Sequence, residues 1–393
     1  MMDKTRPQIL FYNFGARLGG AEIVLLNFLE QNSEYADYRV LLNEHGTFYD
    51  VLVARDIPVE VIETTADRFY SLKREDAVGK KLFRVIPAAM GLFFRVLKYF
   101  RKNQFDLVVS NTFKSHLILG FASKFFGINS AWRFHDIVQR EYAFNQFSRL
   151  NIGLMKFVIP AVKKVIPVSQ AVTTSFKNQG FDISKFSVVH NGIDIVTHTA
   201  TPLDERGTIR IGWIGQFAAW KGIKEYIQLC QTLLEGRDMM GVDMKFIIAG
   251  SALFGHAEFE QEVQDLIKAE HSDQFEFLGH VSDVDTFYDG IDVFFHTSIA
   301  PDPFPTTILE AGCRGKLVFA SKLGGAGEII TEKVDGYLID MSDLDSTRKL
   351  VSSVLSDFQE RKGMGAKLQA RIQKDLSIKK YHTQLESELL ELV

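Results

Sequence analysis

The feature that most constrains the fold is a repeated alternation of short apolar segments with longer segments whose apolar residues recur at helical spacing. The short segments have the length and continuous apolarity of strands that are buried on both faces. Strand and helix patterns that alternate along a chain are typical of parallel sheets covered by helices on both sides. The sequence therefore predicts an α/β protein with doubly wound parallel sheets.

The alternation occurs in two series, and the break between them predicts two domains. The first series extends from a predicted strand at Gln8 to Phe14 to a predicted strand at Phe186 to Val189. Apolar periodicity is weak from Asp194 to Gly207 and resumes at Ile209 to Ile214, so we place the linker in the weak segment. The predicted parts are an N-terminal Rossmann-like domain at residues 1–196, a C-terminal Rossmann-like domain at residues 197–376 and a final helix at residues 377–393.

Bulk composition argues against several other classes of protein. The 393 residues carry a net charge of −4, so no general positive field favours binding to nucleic acid. The two cysteines, Cys230 and Cys313, form neither a disulfide framework nor a metal-ligand spacing. No apolar run reaches the roughly 18 residues that a membrane-spanning helix needs, and the first residues lack a secretory signal pattern. We expect a cytoplasmic protein that binds no nucleic acid.

A helix start in the second series has the features of an anion-binding site. Pro303 and Pro305 fix the backbone ahead of the helix, and proline suits a first turn because it lacks an N–H group. Thr306 and Thr307 follow in that turn, where backbone N–H groups have no partner inside the helix. Such a turn binds phosphates and other anions.

Two acidic residues flank this helix start. Asp302 precedes it and Glu310 lies inside it, with seven residues between them. A sugar nucleotide suits this combination, because N–H donors bind phosphate oxygens and carboxylates bind sugar and ribose hydroxyls. A capped core helix with incidental acids would have the same residues. The spacing resembles the Glu-x7-Glu motif of retaining glycosyltransferases of the GT-B fold, sequence family 4.

A glycine-rich turn in the first series resembles another element of that family. Gly19 and Gly20 stand at the start of a predicted helix, directly after the first predicted strand. Paired glycines there let a phosphate or a sugar approach the backbone closely, although a tight turn would also require them. The run from Gly19 to Glu22 is similar to the family's G-G-x-E element, which implies that both glycines face the sugar donor.

The first strand and helix of the second series supply a candidate cation. Gly215 and Gln216 end the strand, and Lys221 begins the next helix. A lysine there can stabilise a diphosphate leaving group, whereas a merely exposed lysine would oppose the helix dipole. The family usually has an arginine where this chain has Gln216, so one positive charge is missing. Asp302 in place of the family's glutamate is a second departure.

The resemblance implies roles for the remaining candidates. His135, which follows a predicted strand, would face the donor sugar, although a lone histidine is more often structural. Glu310 would hold the ribose hydroxyls, and Asp302 would hold the donor sugar. Gly324, Gly325 and Glu328 resemble the family's G-G-x-x-E loop. The implied catalytic residues are His135, Lys221, Asp302 and Glu310, and the implied donor-binding residues are Gly19, Gly20, Gly215, Gln216, Gly250, Ser251, Val281, Phe304, Pro305, Thr306 and Thr307.

The function that the resemblance implies is that of a retaining glycosyltransferase with two Rossmann-like domains facing across a cleft. It would move a sugar from a nucleotide-diphosphate sugar, which is a substrate, to a hydroxyl of a lipid-linked or surface glycan. No cofactor and no metal are expected, since no D-x-D metal motif is suitably placed. Two alternatives remain: a GT-B hydrolase or epimerase that acts on a nucleotide sugar without an acceptor, and a non-catalytic partner subunit, which the departures at Gln216 and Asp302 leave open.

A basic segment raises the question of a membrane. Residues 73–102 contain nine basic residues and only two acidic ones, interleaved with aromatic and aliphatic residues. A basic helix of this kind can lie on the anionic inner face of a membrane. A crossover helix packed on the sheet, with solvated basic ends, would have the same composition. The sequence leaves both interpretations open.

Overall fold

The computed structural model of the protein describes residues 6–31, 33–63, 78–139, 147–194, 207–236, 241–252 and 257–393. The chain divides into two compact units. Unit 1 comprises Met1–Val168, Val172–His190 and Tyr381–Val393, and unit 2 comprises Ser169–Ala171 and Asn191–Lys380. The predicted boundary between residues 196 and 197, and most of the predicted linker, lie outside the described residues.

Unit 1 is built around one parallel sheet. Its strands are β1 Gln8–Tyr12, β2 Asp37–Leu42, β3 Val59–Val61, β4 Leu107–Ser110, β5 Ser130–Phe134 and β6 Lys164–Pro167. They lie in the order β3-β2-β1-β4-β5-β6. Strands β4 and β5 are buried along their whole length, which explains why apolar residues predominate in both. The helices that follow these strands are α1 Gly20–Leu29, α2 Thr47–Ala54, α3 Val78–Asn103, α4 Phe113–Phe126, α5 Arg149–Val158 and α6 Gln170–Asn178.

Unit 2 repeats this plan with a second parallel sheet. Its strands are β7 Thr208–Ile214, β8 Asp243–Ala249, β9 Phe275–Gly279, β10 Val293–His296, β11 Leu317–Ser321 and β12 Tyr337–Ile339. They lie in the order β12-β11-β10-β7-β8-β9. Its helices are α7 Ile223–Glu235, α8 Ala257–Asp265, α9 Val284–Asp289, α10 Thr306–Cys313, α11 Ala326–Ile329, α12 Leu344–Ser356 and α13 Phe358–Asp375. The last helix, α14 Ile378–Leu390, begins in unit 2 and lies mostly in unit 1.

The two sheets share one strand order when each is followed from its first strand. In unit 1 the first strand, β1, lies between β2 and β4, and in unit 2 the first strand, β7, lies between β8 and β10. The direction in which the chain crosses the sheet therefore reverses beside β1 and beside β7. Ligands of open parallel sheets bind beyond the carboxyl ends of the strands at this switch point. The predicted α/β fold with two Rossmann-like sheets is confirmed.

Two predicted details of the secondary structure are wrong. The predicted strand from Phe186 to Val189 forms only an isolated bridge between Phe186 and Val165. Ser187 and Val189 donate backbone hydrogen bonds to Val165 and Pro167 of β6, but these bonds do not build a continuous strand. The carbonyl of Val189 accepts a hydrogen bond from the buried Arg133 at 2.8 Å. Helix α13 was not predicted, because its mostly polar sequence contains two glycines and buries only a narrow stripe that includes Leu368 and Ile372.

The last helix, α14, returns the chain to unit 1 at Tyr381. The hydroxyl of Tyr38 in β2 donates to Glu386 at 2.9 Å, and Lys164 at the start of β6 donates to Glu388 at 2.6 Å. Leu385 is fully buried between these polar contacts. The final residues of the chain therefore complete the packing of the N-terminal unit. None of the described helices combines the length and apolarity needed to cross a membrane.

Candidate functional site

The carboxyl ends of β7 and β10 bring together residues that lie far apart in the sequence. After β7 the chain continues to a short 3-10 helix, Ala219–Lys221, which precedes α7. After β10, whose last residue is His296, the chain reaches Asp302 shortly before α10. Because β7 and β10 are paired neighbours, both connections leave the sheet at the switch point of unit 2.

Lys221 and Asp302 form an ion pair at this switch point. The Lys221 Nζ donates to the Asp302 Oδ2 at 2.7 Å. The Asp302 side chain is only 8% exposed and the Lys221 side chain is 24% exposed, so water screens the pair weakly. A carboxylate that has lost most of its water needs such a partner. Two residues predicted separately as donor ligands thus bind each other in this structure.

His296 is a third member of this cluster, and the sequence did not single it out. Its Nε2 lies 3.4 Å from the Asp302 Oδ2 and 3.1 Å from the Ser298 Oγ, and its side chain is almost fully buried. Burial alone would raise the pKa of Asp302, but the Lys221 ammonium and the contact with His296 outweigh burial and hold that pKa below its usual range. Asp302 is therefore an anion at neutral pH.

The backbone of Asp302 is held by two glycines. The N–H of Gly325 donates to the carbonyl oxygen of Asp302 at 2.8 Å. Gly324 has a φ of +78°, and a Cβ at this position would lie 2.1 Å from the same carbonyl oxygen. Only glycine combines that backbone conformation with so close an approach. The Gly324-Gly325 loop thus fixes the position from which Asp302 reaches Lys221.

The start of α10 presents unpaired backbone donors. Pro305 occupies the position before the first turn, and Phe304 beside it is 4% exposed. Thr306 and Thr307 in the first turn are half-buried. Within the described part of the chain, the backbone N–H groups of these two threonines have no acceptor. The predicted first turn therefore forms at Thr306, four residues after Asp302, and its binding of an anion remains a prediction.

Glu310 is held inside α10 by a tyrosine that the sequence analysis missed. The buried hydroxyl of Tyr288, at the end of α9, donates to the Glu310 Oε2 at 2.9 Å. Burial raises the pKa of Glu310, and the bonds from Tyr288 and from the Thr306 side chain offset this only in part. Arg314 lies 5.1 Å from the centre of the Tyr288 ring and donates to the Glu310 carbonyl oxygen. One carboxylate oxygen of Glu310 is therefore fixed while the side chain stays partly exposed.

The loops after β7, β8 and β9 are joined by backbone hydrogen bonds. The N–H of Phe217 donates to the carbonyl oxygen of Ser251 at 3.0 Å, and the N–H of Gly250 donates to that of Gly279 at 2.7 Å. Val281, two residues beyond Gly279, is half-buried. At this edge of the unit 2 sheet the structure thus gathers the predicted donor-binding residues Gly215, Gln216, Gly250, Ser251 and Val281.

The predicted site residues of unit 1 lie at the corresponding edge of its own sheet. Gly19 and Gly20 start α1 after β1, and the N–H of Gly19 donates to the side chain of Glu22 at 3.2 Å. His135 follows β5, and its Nε2 lies 2.9 Å from the Oδ1 of Asn111, which follows β4. Burial, together with the charge of Arg133 and the proximity of His116, lowers the pKa of His135. The ring is therefore neutral at physiological pH.

No group of three or more His, Cys, Asp or Glu residues is arranged to bind a metal ion within the described ranges. The expected independence from metals remains a prediction.

Comparisons with known proteins decide the family. The family described as "Glycosyl transferases group 1" matches residues 202–371, and "Glycosyltransferase Family 4" matches residues 46–196. Together the two matches cover most of both units, including Lys221, Asp302 and Glu310. The chain belongs to glycosyltransferase family 4 and has the GT-B fold.

Individual relatives of this family 4 chain are distant. Spore coat protein SA of Bacillus subtilis is 24% identical over 53% of this chain and 59% of that protein. The lipopolysaccharide 1,2-N-acetylglucosaminetransferase of Salmonella typhimurium is 26% identical over 49% of this chain and 53% of that protein. The chain thus spans a little over half the length of these curated relatives. The crystal structure of Anabaena HepE in complex with UDP has the same fold, with a TM-score of 0.80 and 24% identity over 98% of this chain and 100% of that one.

The family resemblance predicted the residues of the motifs but not the residues that support them. His296 ends the buried strand β10, and Tyr288 is the penultimate residue of the short helix α9. A polar residue at the carboxyl end of a buried strand is a signal that applies to His296 as it does to His135. No local pattern marks Tyr288, because its contact with Glu310 depends on the packing of α9 beside α10.

Proposed function

We propose that the protein transfers a sugar from a nucleotide-diphosphate sugar to a hydroxyl group of an acceptor. The observation that carries this proposal is the Lys221–Asp302 ion pair at the switch point of unit 2, close in sequence to the first turn of α10, whose N–H groups have no acceptor among the described residues. A cation and free N–H groups suit a diphosphate, and an ionised carboxylate suits sugar hydroxyls. Similarity to HepE, which has been crystallised with UDP and with UDP-glucose, supports UDP as the nucleotide.

The leaving group determines the chemistry in this proposal. As the bond from the anomeric carbon to the phosphate oxygen breaks, positive charge develops on the sugar and negative charge on the diphosphate. The Lys221 ammonium and the first-turn N–H groups of α10 stabilise that negative charge, and preorganised donors of this kind contribute about 3–4 kcal/mol each. Asp302, released from Lys221, accepts a hydroxyl of the donor sugar, and His296 keeps its carboxylate oriented.

The nucleoside would be held by Glu310. Its carboxylate accepts hydrogen bonds from the ribose hydroxyls, while Tyr288 keeps one carboxylate oxygen in place. We assign no nucleophile to the protein. Attack of the acceptor on the face of the leaving group would retain the configuration of the anomeric carbon, and Lys221 would replace a metal ion at the diphosphate.

The acceptor proposed is a hydroxyl of a lipid-linked or surface glycan. The similarity to a Salmonella lipopolysaccharide transferase supports this class of acceptor.

Gln216, which is exposed at the end of β7, stands where the family usually has an arginine. Lys221 is therefore the single cation of the described loop after this strand.

An acceptor-dependent assay tests the proposed function. The purified protein is incubated with UDP-sugars, with and without oligosaccharide or glycolipid acceptors, and NMR identifies the anomeric configuration of the product. We expect UDP release that requires the acceptor and yields a glycoside with the configuration of the donor. Equal loss of donor without acceptor would instead establish a hydrolase. A UDP-sugar at a hundred times its Kd should add about 2.7 kcal/mol of stability, and no thermal shift with any nucleotide sugar would reject donor binding.

Peripheral contact with an anionic membrane is part of the proposal. The face of α3 that includes Leu92, Val96 and Phe100 is buried in unit 1, as a crossover helix requires. The opposite face exposes apolar side chains together with basic ones. A face that contacts only water would not require these apolar side chains, whereas a membrane surface would bind both kinds. These exposed side chains are Met90, Phe94, Arg95, Lys98, Arg101 and Lys102. Residues 73–77 of the predicted basic segment lie outside the described residues.

Liposome co-sedimentation tests this contact. Neutralising Lys98, Arg101 and Lys102 with glutamine should weaken binding to vesicles rich in phosphatidylserine by roughly two orders of magnitude, since each surface cation contributes about 1 kcal/mol. A matched variant that neutralises the exposed Lys245, Lys349 and Lys374 of unit 2 should bind like the wild type. Absence of wild-type binding at low salt, with transfer to soluble acceptors intact, would remove the membrane from the proposal.

A further inference from the structure

The two predicted site elements of unit 1 are joined by a chain of side-chain hydrogen bonds. His135 Nε2 lies 2.9 Å from Asn111 Oδ1, and Asn111 Nδ2 donates to Asn13 Oδ1 at 3.0 Å. Asn13 Nδ2 donates to Glu22 Oε1 at 3.0 Å, and Glu22 Oε2 accepts from the N–H of Gly19. Asn13 and Asn111 are 0% and 2% exposed. We call these two asparagines the asparagine relay.

Backbone carbonyls fix the direction of every bond in the asparagine relay. Asn13 Nδ2 also donates to the carbonyl oxygen of Gly15 at 2.7 Å, and a carbonyl can only accept. The atom of Asn13 that faces Asn111 must therefore be its oxygen. Asn111 Nδ2 likewise lies 3.4 Å from the carbonyl oxygen of Ala21. The amide orientations thus follow from fixed acceptors rather than from an arbitrary choice between nitrogen and oxygen.

This direction determines the tautomer of His135. Since Asn111 presents its oxygen, the Nε2 of His135 must carry the hydrogen of that bond. A neutral imidazole has one hydrogen, so Nδ1 then carries a lone pair. The pKa of His135 is lowered by burial and by neighbouring charge, which is consistent with a neutral ring. Within the described residues, Nδ1 has no hydrogen-bond partner, and the ring is partly exposed.

We propose that Asn13 and Asn111 are positioning residues that hold His135 as the Nε2–H tautomer, with Nδ1 available to accept a hydroxyl hydrogen of the donor sugar. Hydrogen bonds through the asparagine relay and Glu22 connect His135 to the backbone of Gly19, at the start of the Gly19–Gly20 turn. The relay connects the loops after β1, β4 and β5, which leave the unit 1 sheet beside its switch point. The proposal rests on the proposed function only in identifying the hydroxyl as that of a sugar.

The tautomer is measurable without any substrate. Protein labelled with ¹⁵N in its histidine rings is examined by long-range ¹⁵N–¹H correlation NMR, which distinguishes a protonated ring nitrogen from an unprotonated one. The signals that disappear in His135→Gln assign the ring. We expect a protonated Nε2 and an unprotonated Nδ1 at neutral pH. A ring protonated on Nδ1, or on both nitrogens, would overturn the proposal, and neither result depends on whether transfer is detected.

Two variants of Asn111 separate positioning from packing. Asn111→Leu removes the acceptor, so the ring should show a mixture of tautomers and kcat/KM for the donor should fall about tenfold. Asn111→Asp restores an acceptor oxygen, so the Nε2–H tautomer should return. Asn103→Leu, on the exposed end of α3, should change neither quantity. An unchanged tautomer in a folded Asn111→Leu would contradict the relay, and the spectrum of the wild type decides the proposal if that variant does not fold.

Discussion

Replacing Lys221 with Met is expected to lower the rate of sugar transfer by about 10²- to 10³-fold, the loss typical of removing one preorganised donor from a developing negative charge. Met has a similar length and no charge, so the variant removes the ammonium with little change in packing. The loss should appear in kcat as well as in kcat/KM, because negative charge on the diphosphate increases toward the transition state. Steady-state kinetics with a UDP-sugar measures both.

The same variant should lose stability, because Asp302 would keep its buried carboxylate without an ammonium partner. Breaking a fully buried pair costs about 3–5 kcal/mol, and we expect about 2–3 kcal/mol here because Lys221 is partly exposed and His296 remains beside the carboxylate. Adding Asp302→Asn to Lys221→Met should recover most of the stability and none of the activity. That pattern would separate the contribution of the ion pair to folding from its contribution to transfer.

Lys224→Met is the matched control for this experiment. Lys224, three residues further along the chain, pairs with Glu262 at 2.7 Å, but both side chains are well exposed. Surface pairs of this kind contribute at most about 1 kcal/mol. The control should therefore retain activity and nearly all stability. Wild-type turnover in Lys221→Met would contradict the proposed site.

The pH dependence of stability is a second test of the Lys221–Asp302 ion pair. The pKa of Asp302 is lower in the folded protein than in the unfolded chain, so its contribution to stability is present above the ordinary aspartate pKa of about 3.9. That contribution is lost as the pH falls through the lower folded value. In Lys221→Met the ammonium that lowers this pKa is gone, so the pKa of Asp302 should rise. The difference in stability between the variant and the wild type should therefore narrow as the pH falls through that raised value, and narrow further below about 4.

Gly222→Ala is expected to destabilise unit 2 by about 3 kcal/mol. Gly222 has a φ of +70°, a conformation that costs other residues about 1–2 kcal/mol. A Cβ at this position would lie 1.9 Å from the carbonyl oxygen of Thr297, a backbone atom that cannot move aside cheaply, and overpacking adds about 1–3 kcal/mol. Any shift of Thr297 would also displace its hydroxyl, which bonds Trp213 at 3.0 Å. Transfer should fall as well, since Lys221 precedes Gly222.

Gly241→Ala isolates the steric part of this effect. Gly241 also lies in unit 2 and has a φ of +65°, but no atom of the described residues lies within 4 Å of the Cβ that alanine would add. The control should lose only the conformational term of about 1–2 kcal/mol. Urea unfolding followed by circular dichroism and tryptophan fluorescence measures both variants, with the transitions of the two units fitted separately. Equal losses in the two variants would show that the close contact with Thr297 has no energetic consequence.

The sequence predicted most elements of this fold, since strand and helix periods are local properties. The strands β1 and β7 are short and largely apolar, and their predicted bounds differ from the structure by at most two residues. Helix α13 escaped prediction because glycines interrupt its pattern. Gly365 is required there, since a Cβ would lie 1.9 Å from the carbonyl oxygen of Gly315 on the neighbouring segment.

The candidate site was predictable only in part, because its contacts depend on the strand order. The helix start at Pro305 and the acids around it could be identified from local spacing. That Lys221 lies beside Asp302, however, follows from the pairing of β7 with β10, which no local pattern indicates. The supporting contacts of His296, Tyr288 and Asn111 also join residues on different strands and helices, so only the structure identifies them.

The central claim is that the diphosphate of a nucleotide sugar binds at Lys221 and at the first turn of α10, and a crystal structure of the protein with a UDP-sugar tests it most directly. We expect diphosphate oxygens within hydrogen-bond distance of Lys221 Nζ and of the N–H groups of Thr306 and Thr307. Asp302 should then face the sugar hydroxyls. A diphosphate bound elsewhere, with the Lys221–Asp302 pair intact and the first turn of α10 empty, would contradict the account.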